Sequence, residues 1–167
     1  MATAADSMVT VARGAFPMVG LNKIGMLEVT IDIETISAEL AAQGDGVLAS
    51  GDIVQCISLP KGATLLQAGV EVVETVAGCT ALTIDLGTDV DDDAWVAAVD
   101  VGSSTSYVAG DYCTSGGSRL SEVIGQGAAG AATNTLDITF DTVTGTATAG
   151  KLRVWALVAD TDALAGN

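Results

Sequence analysis

GDIVQCISLPKGATLLQAGVEVVETVAGCTALTIDLGT, residues 51–88, is a run of short apolar stretches separated by Pro and Gly. Its first stretch, Asp52 to Leu59, alternates apolar and polar residues in the way of a half-buried strand. Pro60-Lys-Gly then predicts a turn, with Pro presetting φ and Gly tolerating positive φ. Ala63 to Val76 reads as a long strand. Its apolar parity changes at Val72 and Val73, which predicts a bulge near Gly69. Ala77-Gly78 predicts a second turn. It leads into Thr80 to Leu86, where Leu82, Ile84 and Leu86 share one face against Thr83 and Asp85.

The same alternation recurs on either side. In Met26 to Thr35, Leu27, Val29, Ile31 and Ile33 alternate with Glu28, Thr30, Asp32 and Glu34. A slip of one residue there would bury the carboxylates, so the register is strongly specified. Thr135 to Thr142 sets Leu136, Ile138 and Phe140 against Asp137, Thr139 and Asp141. Thr144 to Gly150 reads as a connection to a last strand, Lys151 to Ala159. That strand is apolar on both faces at its end, where Trp155 and Leu157 oppose Val154, Ala156 and Val158, which suits a central or interfacial place. Ser37 to Gln43 predicts one or two helical turns. Ala94 to Val99 fits a short helix capped by Asp92 or Asp93, or a strand. Val101 to Gly130 is rich in Gly, Ser and Ala and reads as loops, with short strands near 106–112 and 120–124. The fold expected is all-β, a jelly-roll-like β-sandwich with one short helix. One domain spans 26–167. Residues 1–25 are weakly patterned and form an extended N-terminal arm, ordered by a neighbouring subunit through Phe16, Met18, Leu21 and Ile24.

Composition narrows the function. The 167 residues are 49% hydrophobic but only 4% aromatic, so Val, Ile, Leu and Ala must build the core. Charged residues make up 16%, below the usual quarter, as in a chain that hides surface in an assembly. The net charge is −15, from 21 acids and 6 scattered bases. No basic patch exists to neutralise phosphates or anionic lipid, which argues against nucleic-acid and membrane partners. The first 25 residues lack a secretory pattern, and no stretch reaches the roughly 20 apolar residues of a membrane helix. A soluble protein made in a cytoplasm is expected.

The chemical toolkit is thin. There is no histidine, and Cys56, Cys79 and Cys113 form no CxxC pair, so a zinc site is not expected. Buried apolar thiols are the expectation for all three, with at most one disulfide. Gly102-Ser103 and Gly117-Ser118 lack the flanks of a nucleophile elbow, and residues 125–130 lack the Lys of a phosphate loop. No catalytic residue and no cofactor is expected. The acidic loop containing Asp85, Asp89, Asp91, Asp92 and Asp93 is the one metal candidate, through Asp89, Asp91 and Asp93. It lacks EF-hand spacing, and a solvated loop is the expected state.

The stretch GDIVQCISLPKGATLLQAGVEVVET, then LTIDLGT, and the closing ATAGKLRVWALVAD (residues 147–160) resemble small structural proteins of tailed bacteriophages, in particular head decoration (cement) proteins. That resemblance covers about residues 50 to 160. It implies a virion protein on the capsid exterior, bound to the major capsid protein as a homotrimer, with Trp155 as a further contact residue. Two alternatives stand beside it. One is a glycan- or cell-surface-binding module such as a head fibre or adhesin domain. The other is a tail or baseplate component. A glycan reader would lay Trp95 or Trp155 flat on an open face, whereas a decoration protein would bury both in a core or a contact.

Overall fold

The computed structural model describes residues 3–4, 24–59, 63–89, 91–105, 107–113, 122–123 and 135–160. Most of the arm, including Phe16, Met18 and Leu21, lies outside them, as does the Pro60 turn. The elements in chain order are β1 (Thr3–Ala4), β2 (Ile24–Asp32), α1 (Ile33–Gln43), β3 (Asp52–Ser58), β4 (Ala63–Thr88), β5 (Asp91–Asp100), β6 (Tyr112–Cys113), β7 (Glu122–Val123) and β8 (Thr135–Asp160).

The fold is all-β with one helix. Among the described residues all eight strands belong to one sheet, ordered β1-β3-β8-β4-β5, with β2 on β8 and both β6 and β7 on β4. Every pairing is antiparallel except that of β1 with β3. β4 and β8 are each 26 residues long and pair along most of their length. Strands usually run 3–10 residues, so a pair this long must bend. The first half of β8 lies between β3 and the end of β4. Its second half lies between β2 and the start of β4. The expected stacked sheets are thus two halves of one continuous sheet, and both halves feed a single hydrophobic core.

Two glycine turns read from sequence are instead corners inside strands. Gly78 (φ +85°) lies inside β4 at a register shift, between Ala77, which pairs with Ala149, and Cys79, which pairs with Gly145 (φ +102°) of β8. A Cβ at Gly78 would sit 2.1 Å from the Thr146 carbonyl oxygen. One at Gly145 would sit 2.4 Å from the Gly78 carbonyl oxygen. Each glycine therefore makes room for the other strand's backbone, and both can hold a positive φ that costs other residues energy. Register shifts between Val72 and Ala81 put extra residues on both strands, on β8 between Ala77 and Cys79 and on β4 on either side. The two strands bend together where the sequence pattern predicts a break. The expected bulge near Gly69 falls on either side of it, between Leu65 and Gln67 and between Val72 and Glu74.

The strand expected to reach Thr35 ends at Asp32. Asp32 has extended φ/ψ, and its Oδ1 accepts a hydrogen bond from the Thr35 amide at 3.1 Å, which caps α1. Ile33, Ile36 and Leu40 then turn one stripe into the core. Ile33 satisfies both the two-residue and the helical period, so alternation alone runs through the boundary. Gly44 closes the helix with φ +91°, its N–H on the Ala41 carbonyl and the Asp45 N–H on that of Leu40. The buried Ser37 hydroxyl accepts from the Leu48 amide and pins the following loop. Residues Ala94 to Val99 belong to β5, so Asp92 and Asp93 do not cap a helix.

Inward positions follow the alternation closely. Leu27, Val29, Ile31, Leu136, Ile138, Phe140, Leu152, Val154, Ala156 and Val158 are all buried. The three cysteines are free and buried. Burial raises the Cys56 thiol to about 12 and the Cys113 thiol to about 11. The Cys56 thiol donates to the Val54 carbonyl at 3.3 Å.

Candidate interaction face

The outward side of β2, β8 and the first half of β4 carries the principal surface feature. Period-two geometry puts Ile24, Met26, Glu28 and Thr30 of β2 on that side, with Arg153, Trp155 and Leu157 of β8. The register arranges them in rows. Met26 faces Leu157, which faces Gln67. Glu28 faces Trp155, which faces Gly69. Thr30 faces Arg153, then Glu71, then Tyr112 of β6. Gly69 offers no side chain in the row that holds the largest one, so the indole has space beside it. Met26, Glu28, Glu71, Tyr112, Arg153 and Trp155 line a recess of about 250 Å³.

Apolar and charged parts divide the recess. Met26 is 53% exposed and Tyr112 is 61% exposed, and Ile24 lies at the near end of β2, also exposed. Arg153 forms an ion pair with Glu71 at 3.0 Å. Beyond it, Lys151 binds Glu74 at 2.6 Å and approaches Asp32 at 3.6 Å. Glu74, and then Asp32, raise the lysine pKa above its ordinary value. Trp155 is half-buried, and its Nε1 is fully covered yet has no acceptor. A buried indole N–H without a partner costs free energy.

Two contact candidates read from sequence, Ile24 and Trp155, therefore share one face. Phe16, Met18 and Leu21 lie outside the described residues. Met26 and Arg153 were readable from the same parity, but Glu71 and Tyr112 come from distant segments and carry no local signal. Trp95 is buried, unlike Trp155.

The metal candidates lie at the far end of the sheet. Carboxylate oxygens of Asp91, Asp92 and Asp93 come within 4.8 Å of one another. Asp91, first, and then Asp92 and Asp85 raise the Asp93 pKa by hydrogen bonding and repulsion. Asp89 is not in this trio. Asp137, on the opposite parity of β8 to Leu136 and Ile138, is only 8% exposed. Burial, with a smaller push from Asp89, lifts its carboxyl to about 6. The Thr135 hydroxyl lies near enough to oppose that rise, but forms no hydrogen bond of normal geometry.

The sheet has a counterpart in a phage capsid. A chain of the cyanophage Pam1 capsid asymmetric unit matches with a TM-score of 0.53 and 19% identity. The match covers 89% of this chain and 93% of that one, so the two share a fold over nearly their whole lengths. No family model matches the chain, and no curated protein does.

Proposed function

We propose that this chain is a virion structural protein, a decoration protein seated on the exterior of a phage head against the major capsid protein. The observation that carries this reading is the near full-length fold match to a chain of a phage capsid asymmetric unit. The face around Trp155 supports it, because it joins exposed Met and Tyr to a Trp and an Arg. Residues of these kinds dominate binding energy when a partner excludes water from them. A stable contact of standard size buries about 1,600 Å² in total, more than one recess supplies, so contacts beyond it are required. Trimerisation would let three such faces engage one lattice and gain avidity. Strength by contact, without catalysis, is the role that a histidine-free, acidic sheet suits.

The test is co-sedimentation of purified protein with capsids of its own phage that lack it. Sedimentation equilibrium reads the trimer separately. Met26→Ser with Trp155→Ala should leave a folded β-protein whose capsid occupancy falls at least tenfold, the loss of about 1.4 kcal/mol or more. Full occupancy by the double variant would remove this face from the contact. Failure of the wild-type protein to bind capsids would overturn the decoration role.

A second reading keeps one specific observation. An open recess holding Trp155 and Tyr112 beside Glu28 and Glu71 also has the parts of a sugar site. Binding of a soluble glycan that competes with acrylamide quenching of Trp155 would favour that reading.

A further inference from the structure

The recess at Trp155 holds more acid than base. Glu28 and Glu71 bring two carboxylates to its lining, and Arg153 brings one guanidinium. Glu71 engages Arg153 at 3.0 Å. Lys151, the other base among the described residues, is engaged by Glu74 and Asp32. No described base remains for Glu28. Glu28 is half-buried and pairs in register with Trp155, so carboxylate and indole are neighbours on one face. Met26 and Tyr112 complete that part of the wall. Such a wall is a seat for a cation. The carboxylate supplies charge, the ring faces attract positive charge, and the apolar surface covers an alkyl stem.

Size and charge narrow the occupant. The recess holds about 250 Å³, below the ~300–1,000 Å³ of pockets that enclose a drug-sized molecule, and one long side chain fills it. This chain, with 6 bases to 21 acids, is a poor source of that side chain. We propose that the recess receives a lysine or arginine side chain presented by a different protein. Its cationic head sits at Glu28, and its stem runs along Met26 and Trp155. The identity of that protein rests on the decoration reading, which makes it the major capsid protein. An acid that only a basic partner can satisfy fixes which surface docks and in what register.

Two measurements on the full-length protein test this. The first titrates N-acetyl-arginine amide and N-acetyl-lysine amide at constant ionic strength and follows tryptophan emission. A saturable change should appear, be absent with N-acetyl-glutamine amide and be lost in Trp155→Phe. Glu28→Gln should weaken binding about tenfold, whereas Asp92→Asn, which removes the same charge in the other half of the sheet, should leave it unchanged. The second measures capsid occupancy, which should fall about tenfold in Glu28→Gln and stay at the wild-type level in Asp92→Asn. The proposal is overturned if the neutral amide binds as well as the cationic ones, if no saturable change appears, or if it persists in Trp155→Phe. Undiminished capsid occupancy of Glu28→Gln also overturns it, and leaves the decoration role standing. Loss of self-association in Glu28→Gln, with capsid occupancy kept, would assign the cation to a second copy and overturn it as well. Wild-type protein that takes the cationic amides but ignores capsids would refute the decoration role and uphold the recess.

Discussion

Replacing Gly78 with Ala should destabilise the protein by about 3 kcal/mol. At φ +85° an L-residue carries a strain of about 1 kcal/mol. The new Cβ would also lie 2.1 Å from the Thr146 carbonyl oxygen and 2.9 Å from the Thr148 amide nitrogen. Both are backbone atoms of the paired strand, so no rotamer change relieves the overlap. β8 must move away and forfeit at least one ladder hydrogen bond, leaving buried backbone poorly paired at about 2 kcal/mol. Gly51→Ala is the matched control. Its φ of +88° is nearly the same, yet nothing lies within 4 Å of its Cβ position, so only the conformational part of about 1 kcal/mol applies. Urea unfolding followed by circular dichroism separates the two. With a slope near 2 kcal/mol/M, the midpoint should fall by about 1.5 M for Gly78→Ala and about 0.5 M for Gly51→Ala. Equal shifts would refute the reasoning, because close approach at the corner would then add nothing to the demand for glycine.

Two further outcomes follow from the core. Phe140→Ala, at a fully buried position in the strand shared by both sheet halves, should cost about 3–5 kcal/mol in urea unfolding, and a loss under about 1.5 would contradict its place in the core. The thiols of Cys56 and Cys113 are covered and held protonated at neutral pH, so Ellman's reagent at pH 8 should label neither until urea unfolds the chain. Labelling in the native state at the rate of a free thiol would refute their burial.

Much of the sheet was legible because alternation reports burial directly. Val29 or Phe140 needs only its neighbours in sequence to declare its face. The corners were not legible. A Gly-Cys-Thr or Thr-Gly-Thr run reads the same whether the chain reverses or merely bends, and only the strand facing it decides which. The burial of Asp137 was illegible for the same reason. Its register partner is Gly87, and the main chain that covers Gly87 comes from Asp91 and Asp92, more than forty positions before Asp137. Of the interaction face, Ile24 and Trp155 were visible as apolar residues on outward positions. Tyr112 arrives through β6 from a loop-rich region without periodic signal.

Period-two patterning and branched aliphatic residues sufficed to specify an all-β chain, since each property is local or compositional. Continuity of the sheet, the recess at Trp155 and the burial of Asp137 arise only when distant segments meet. The close approach of β8 at Gly78 is one such meeting, a relation between two strands that neither strand encodes alone.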